Sequence, residues 1–175
     1  AEQLEGVLLV DEAYADFVDV DETSSMAALV TEHENLLVLR TFSKGYSLAG
    51  LRLGYLLGDP SLIRPVLEKT RDSYNVDAIS QAIGLAAIKD QAYAQQTWAS
   101  VRRDRKILAE GLTALGFGVA ASQTNFVLAQ TPRDVSALHL YQALKDAGIL
   151  VRYFNTPRLQ DALRITVGTT EQNRH

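Results

Sequence analysis

The sequence contains no cysteine, so disulfide bonds and thiolate-ligated metal sites are excluded. It also lacks any apolar stretch that approaches the roughly 18 residues required to cross a bilayer. The opening residues are acidic and polar, whereas a secretory signal peptide begins with a basic segment. These absences predict a protein without membrane segments, for which the cytoplasm is the default location.

The basic clusters that mark a nucleic-acid surface are missing as well, and the formal net charge is −4. The densest basic run, residues 102–106, includes Asp104 and follows a helical pattern, which predicts a solvated helix face. The histidines have no ligand-like spacing; they are His33, His139 and His175. We therefore expect neither a nucleic-acid partner nor a metal site.

An initiator methionine is absent too, and Thr169 with Gln172 forms a capping-box pattern that announces a helix near the last residue. We therefore expect the chain to be a piece of a longer protein. Its 175 residues suffice for one large domain or two small ones.

Three short apolar runs predict buried strands, at residues 6–10, 35–39 and 53–57. Continuous apolar runs of this kind are typical of strands that are buried on both faces of an α/β sheet. Residues 23–31 have helical composition, so the first two strands are predicted to be parallel. The direction of the third strand stays open.

The helices that follow have recognisable ends. A helix over 62–71 is expected after the Asp59-Pro60 start signal, and Asp77 is predicted to cap a helix over 78–89. A longer helix over about 93–115 is predicted to end at Gly116.

Beyond this long helix the pattern changes to a compact α+β unit with a helix over 135–147. Strands are predicted at 117–121, 125–129, 149–153 and 163–167. The long helix is the natural connector, which places two domains at residues 1–100 and 101–175.

Two predicted strand ends carry reactive side chains. Asp11 and Tyr14 follow the first strand, and Ser43 and Lys44 follow the second. Because the carboxyl ends of neighbouring parallel strands meet at one sheet edge, an acid and a lysine would face one cleft. Taken singly, Asp11 could be a helix cap, and Ser43 and Lys44 could be ordinary turn residues.

A lysine with apolar neighbours can lose its proton and attack a carbonyl, and an acid can keep a heteroaromatic nitrogen protonated. Pyridoxal phosphate requires that pair of groups. Residues 41–55 resemble the cofactor-lysine signature of the fold-type I aminotransferases, and residues 10–17 resemble their aspartate motif. Residues 74–76, 124–126 and 163–169 resemble the histidinol-phosphate aminotransferases in particular.

The resemblance implies an α/β fold: part of the large pyridoxal-phosphate domain, with a mainly parallel sheet, followed by a small α+β domain. It implies that Lys44 is the catalytic residue, which holds the cofactor and moves a proton between the substrate and the cofactor. The implied cofactor-binding set is Asp11 at the pyridine nitrogen, Tyr14 at the phenolic oxygen, Ser43 and Arg52 at the phosphate, and Thr41 beside the cofactor.

The implied substrates are a small-molecule amino donor and a 2-oxo acid, and the implied assembly is a homodimer. Arg164 would hold the anionic end of the substrate, with Arg152 and Asn75 as further candidates; Arg152 could equally be a surface arginine. A threonine-phosphate decarboxylase-like or aromatic aminotransferase reaction uses the same cofactor groups and stays open. So does a folded fragment without catalysis.

The family usually places further cofactor contacts, including a phosphate cradle and a stacked aromatic ring, upstream of the first residue here. The sheet would also lack strands and expose an edge. We therefore expect the chain alone to be weakly active or inactive.

Overall fold

The computed structural model describes residues 1, 3–19 and 25–175. The chain divides into two compact units, Ala1–Trp98 and Ala99–His175. Each unit has its own sheet.

The first unit contains a three-stranded sheet of order β1-β2-β3, formed by Leu8–Asp11, Leu36–Thr41 and Gly54–Gly58. Strands β1 and β2 are parallel, which confirms the prediction for that pair. Strand β3 is antiparallel to β2, so the expectation of a mainly parallel sheet is wrong for this unit. The chain between β2 and β3 has no α-helix to carry it across the sheet, and it therefore folds directly back.

The predicted helix over 23–31 is only partly tested, because residues 23 and 24 lie outside the described residues. The remainder contains a short 3₁₀ helix, Ala27–Thr31, and not an α-helix. This helix ends at Thr31, and β2 begins at Leu36.

The two faces of the first sheet differ in burial. Leu36 and Val38 are 3% and 0% exposed, whereas Leu9 and Leu39 on the other face are 54% and 37% exposed. The expectation that these strands are buried on both faces is therefore wrong for this chain. The described residues of this unit therefore leave some apolar side chains of these strands exposed on one face.

Helix α1 spans Pro60–Pro65 and continues as a π-helical turn over Val66–Thr70. The Asp59 side chain accepts a hydrogen bond from the Ser61 N–H at 2.8 Å, as expected for an N-cap before proline. Helix α2 spans Ala78–Lys89, and the Asp77 carboxylate accepts from the Ser80 N–H at 2.9 Å. Both predicted helix starts are confirmed.

Helix α3 spans Gln91–Ala114 and crosses the boundary between the two units. Its carboxyl end is closed by Gly116, whose φ of 87° lies in the left-handed region that favours glycine. The Phe117 N–H donates to the Leu112 carbonyl at 3.1 Å, which completes the expected glycine cap.

The second unit contains a four-stranded antiparallel sheet of order β4-β5-β7-β6. Its strands are Gly118–Val119, Phe126–Gln130, Arg152–Tyr153 and Ala162–Thr166, numbered β4 to β7. Helix α4, Ala137–Asp146, begins at Ser136, and Gly148 follows with a φ of 80°. The buried apolar side chains of this unit include Val127, Ala129, Ala137 and Leu163.

The predicted solvated face at residues 102–106 is wrong in part, because Asp104 and Arg105 are 4% and 5% exposed. Arg105 donates to the Thr124 carbonyl at 2.9 Å and to Gln123 Oε1 at 3.1 Å. Asp104 accepts from Thr170 Oγ1 at 2.8 Å. Both charged groups face the interior of their own unit, where hydrogen bonds offset the cost of their burial.

The expected capping box is present. The Thr169 hydroxyl accepts from the Gln172 N–H, and the Gln172 side chain accepts from the Thr169 N–H. Among the described residues, no helix is long and apolar enough to cross a membrane, and no group of ligating side chains is arranged to hold a metal ion.

Leu163 provides a test of the second unit's core, since it is 0% exposed in the central strand β7. Leu163→Ala should lower the free energy of unfolding by about 2–5 kcal/mol, because the cavity removes both burial and contacts. Leu150→Ala is the matched control; Leu150 is 82% exposed, and its truncation should change the value by no more than about 0.5 kcal/mol. Equal losses in urea denaturation would contradict this core assignment.

Candidate active site

Three of the predicted site residues lie at one edge of the first sheet. Asp11 is the last residue of β1 and Thr41 the last of β2, and the two strands run in the same direction. Thr41 pairs with Gly54 at the start of the antiparallel β3, which places Arg52 just before this edge. The strand directions therefore gather segments that are distant in sequence.

The loops that leave this edge meet at Lys44 and Tyr14. The Lys44 ammonium nitrogen lies 5.7 Å from the centroid of the Tyr14 ring, within the range of a cation–π contact. Both residues are half-buried. The structure thus brings together the predicted lysine and the predicted phenol.

Asp11 is held by a local hydrogen bond, because its Oδ1 accepts from the Ala13 N–H at 3.0 Å. The short 3₁₀ helix that follows, Ala15–Phe17, has Tyr14 at its N-cap position. Asp11 is therefore not the cap of that helix. Its carboxylate is exposed at the sheet edge.

The turn after β2 is shaped by Thr41. Its hydroxyl accepts from the Ser43 N–H at 3.0 Å and lies 3.3 Å from the Leu53 carbonyl, to which it donates. The Ser47 N–H donates to the Lys44 carbonyl at 3.1 Å. Thr41 thus fixes the backbone from which Ser43 and Lys44 project.

Arg52 and Ser47 have left-handed backbones, with φ values of 53° and 57°. Such conformations cost about 1–3 kcal/mol each for residues other than glycine, and they cluster at functional sites. The Arg52 guanidinium donates to the Ala49 carbonyl at 2.8 Å and is otherwise exposed. The loop that carries Lys44 and Arg52 is therefore a strained segment.

Three charged residues beside this site were not predicted: Glu12, Asp16 and Arg40. Arg40 Nη1 lies 3.1 Å from Glu12 Oε2, and Arg40 Nη2 lies 2.6 Å from Asp16 Oδ1. Glu12 and Asp16 side chains are each 6% exposed, and that of Arg40 is 17% exposed. We call these three residues the buried ion cluster. The one sequence signal for it was a charged residue, Arg40, directly after the apolar run of β2.

Burial raises the pKa of Asp16 above its usual range. The charge and hydrogen bond of Arg40 act in the opposite direction, and the negative charge of Glu12 adds to the rise. Burial likewise raises the pKa of Tyr55, which pairs with Arg40 across β2 and β3. The site is therefore flanked by a poorly solvated charged cluster.

The predicted substrate arginines lie in the second unit. Arg152 and Arg164 are opposite each other on β6 and β7. The guanidinium carbon of Arg164 lies 5.1 Å from the Phe126 ring centroid and 5.7 Å from that of Phe154, and Arg152 lies 5.2 Å from Phe154. Arg164 Nε is buried, and within the described part of the chain it has no hydrogen-bond partner. Two like charges and, within the described residues, one unused donor therefore lie on neighbouring strands.

Asn75 is exposed in the segment before α2, beside Tyr74, which is 96% exposed. The described residues offer its side chain no hydrogen bond that would aim it at Lys44 or at the arginines. Its substrate contact stays a prediction.

The raised pKa of Asp16 predicts a pH dependence of stability. The folded state holds the proton more tightly than the unfolded state, so the contribution of Asp16 is complete below the unfolded pKa, about 3.9, and is lost as the pH rises through the folded pKa. Asp16→Asn should remove the fall in the free energy of unfolding that Asp16 causes as the pH rises. Urea denaturation from pH 3.5 to 7 measures this free energy. If its dependence on pH is the same in the variant and the wild type, the assignment is contradicted.

The family described as Aminotransferase class I and II has a model that matches residues 1–175. Histidinol-phosphate aminotransferase 1 of Nostoc sp. is 52% identical over 173 residues, which are 99% of this chain and 47% of that protein. The chain thus spans about half the length of the curated relatives it matches.

Solved structures agree in fold. A protein assigned as a histidinol-phosphate aminotransferase, from Erwinia carotovora atroseptica, matches with a TM-score of 0.86 and 30% identity. The match covers 96% of this chain and 48% of that one. Histidinol-phosphate aminotransferase from Sinorhizobium meliloti, solved in complex with pyridoxal-5'-phosphate, matches with a TM-score of 0.82 and 26% identity, over 96% of this chain and 46% of that one. The chain belongs to the class I and II aminotransferase family.

Proposed function

We propose that this chain carries the cofactor-lysine part of a pyridoxal-phosphate-dependent histidinol-phosphate aminotransferase of histidine biosynthesis. The reaction would convert histidinol phosphate and 2-oxoglutarate to imidazole-acetol phosphate and glutamate. The observation that carries the proposal is the contact of Lys44 with Tyr14 at the sheet edge that Asp11 also occupies. The named relatives support the choice of substrate.

The residues at this edge fit the cofactor. Pyridoxal phosphate needs an amine for its aldehyde, an acid for its ring nitrogen, a donor for its phenolic oxygen, and donors for its phosphate. Lys44, Asp11 and Tyr14 supply the first three, and Ser43 and Arg52 supply the last. When bound, the cofactor supplies an electron sink for the substrate's α-carbon.

Lys44 would hold the cofactor aldehyde and then act as the base that moves a proton at the substrate's α-carbon. A positioned base of this kind contributes about 10²–10⁴-fold to the rate. Tyr14 lies against the lysine amine and would orient it as well as the phenolic oxygen. Asp11, held by the Ala13 N–H, would keep the ring nitrogen protonated.

Arg52 would hold the phosphate with its planar fork of donors, together with the Ser43 hydroxyl. Its left-handed backbone and its bond to the Ala49 carbonyl limit the directions in which the guanidinium can point. Thr41 would support this subsite indirectly, because it fixes the backbone at Ser43.

Arg164 would bind the anionic end of the substrate: the phosphate of histidinol phosphate in one half-reaction and a carboxylate in the other. Its buried Nε lacks a partner within the described residues, which is the property expected of a ligand-binding donor. Arg152 faces it across the strand pair and shares Phe154, so it belongs to the same proposed subsite. Asn75 stays a candidate on the resemblance alone.

The same proposal includes the wider architecture. Residues 1–100 would form part of the cofactor-binding large domain, and residues 101–175 the small domain. A homodimer is the assembly that the family resemblance supports, and the cytoplasm is its proposed location. Cofactor contacts beyond these residues would be supplied by other segments of the complete enzyme.

Reduction with borohydride tests the cofactor site directly. Pyridoxal phosphate is added to the chain and to the complete gene product, the sample is reduced, and peptide mass spectrometry maps the adduct. We expect a single stable adduct on Lys44 in the complete product, absent from Lys44→Ala and retained in Lys69→Ala, since Lys69 is an exposed residue of the π-helical turn. No adduct on Lys44 in either sample would overturn the proposal.

Arg164→Met tests the substrate assignment in the complete gene product. The Michaelis constants for histidinol phosphate and for 2-oxoglutarate should rise at least about tenfold, because a hydrogen bond to a charged group contributes about 1.5–3 kcal/mol. Arg133→Met, at an exposed position of the same unit, is the control.

Glutamate formation that depends on histidinol phosphate is the expected product signal. Release of carbon dioxide from an amino-acid phosphate, without glutamate formation, would mark a decarboxylase and contradict the proposed reaction while leaving the cofactor site intact.

A further inference from the structure

The buried ion cluster of Glu12, Asp16 and Arg40 has no part in the chemistry described above. Its side chains are largely removed from water, which is costly for charged groups. A buried ion pair is also weak support for stability, because apolar residues of similar size often serve as well. Stability alone therefore does not explain why these three charged residues are buried.

The cluster joins the two segments that carry the site. Glu12 and Asp16 flank Tyr14 in the segment after β1, and Arg40 is the residue before Thr41 at the end of β2. One guanidinium thus ties the two segments together with two charged hydrogen bonds. The fork geometry of arginine suits it to bridge two carboxylates.

The Asp16 side chain also touches the turn that carries the lysine. A Cβ atom added at Gly45 would overlap the Asp16 carboxylate, so the backbone next to Lys44 lies directly against that side chain. The same residue is held by Trp98, whose Nε1–H donates to the Gly45 carbonyl at 2.7 Å. The turn is therefore in contact with both an indole and the buried ion cluster.

The cluster is itself anchored to the chain before β2. The Ser25 hydroxyl donates to Glu12 Oε2 at 2.8 Å, and the Met26 N–H donates to Glu12 Oε1. With both oxygens engaged, Glu12 has little freedom to rotate away from Arg40. The position of Arg40, and through it that of Asp16, is thereby fixed.

We propose that Glu12, Asp16 and Arg40 are positioning residues, which hold the Lys44 turn against the Tyr14 segment so that the amine is placed for the cofactor. The part of this inference that concerns cofactor binding rests on the proposed function. The mechanical part, that the cluster holds the turn, stands on the contacts alone. Preorganisation by supporting residues is what such a site requires.

The test compares two variants of the complete gene product with the wild type. Arg40→Met removes the guanidinium that contacts both buried carboxylates and is expected to unfold more readily. The triple variant Glu12→Gln, Asp16→Asn, Arg40→Met removes all three charges while keeping side-chain size, so it should fold. Arg71→Met, at an exposed position after the π-helical turn, is the matched control.

Two quantities are measured: amide hydrogen exchange in the cofactor-free protein, and the dissociation constant of pyridoxal phosphate. The probes are the amides of Ser43, Ser47 and Leu48, which are hydrogen-bonded within the turn. In the folded triple variant we expect faster exchange at these amides, with core strands unchanged, and about tenfold weaker cofactor binding. Arg71→Met should match the wild type in both.

A folded triple variant with wild-type exchange in the turn would overturn the inference, and so would faster exchange with unchanged cofactor affinity. If the wild type itself forms no adduct on Lys44, the proposed function fails. Hydrogen exchange still decides in that case whether the cluster holds the turn. The two failures are therefore distinguishable.

Discussion

The parallel pairing of β1 with β2 is the constraint on which the candidate site depends. Its register joins Leu8 to Leu36 and Asp11 to Leu39. Because side chains alternate between the faces of a strand, a slip by one residue would turn Asp11 to the opposite face and separate Tyr14 from Lys44. The buried Val38, 0% exposed, stabilises this register from the core side. The placement of the reactive groups thus follows from ordinary sheet packing.

Charge and packing are linked at the same place. Glu12 and Asp16 lie in a poorly solvated region, and Arg40 supplies the positive charge that contacts both. Burial of a carboxylate is costly, and it raises the pKa of Asp16 although the charge and hydrogen bond of Arg40 act in the opposite direction. The strained backbones at Ser47 and Arg52 are a second cost in the same loop. Both costs fall beside Lys44, the residue proposed to hold the cofactor.

Local signals in the sequence were sufficient for much of the fold. Asp77 begins α2 and Gly116 closes α3 as predicted, because capping depends on neighbouring residues alone. The buried ion cluster could not be predicted in that way, since its partners are 24 and 28 residues apart. The burial of Asp104 and Arg105 was missed for the same reason. The donor to Asp104 and the acceptor for Arg105 come from other parts of the chain. The sequence motif was sufficient to predict Lys44 and Tyr14, whereas the residues of the buried ion cluster beside them could be identified only in the fold.

The arginine pair bears on how one proposed subsite would serve two substrates. Arg152 and Arg164 face each other across a strand pair, where like charges repel, and the aromatic rings of Phe126 and Phe154 supply no counter-charge. An anion between the two guanidinium groups would relieve that repulsion, and a phosphate of charge near −2 would do so more completely than a carboxylate of −1. On the proposed function, a subsite of this kind holds the phosphorylated substrate firmly and still accepts a dicarboxylate in the other half-reaction. Arg152 is exposed, so its guanidinium can move towards a smaller anion, whereas Arg164 is half-buried with its Nε buried and has less freedom to do so.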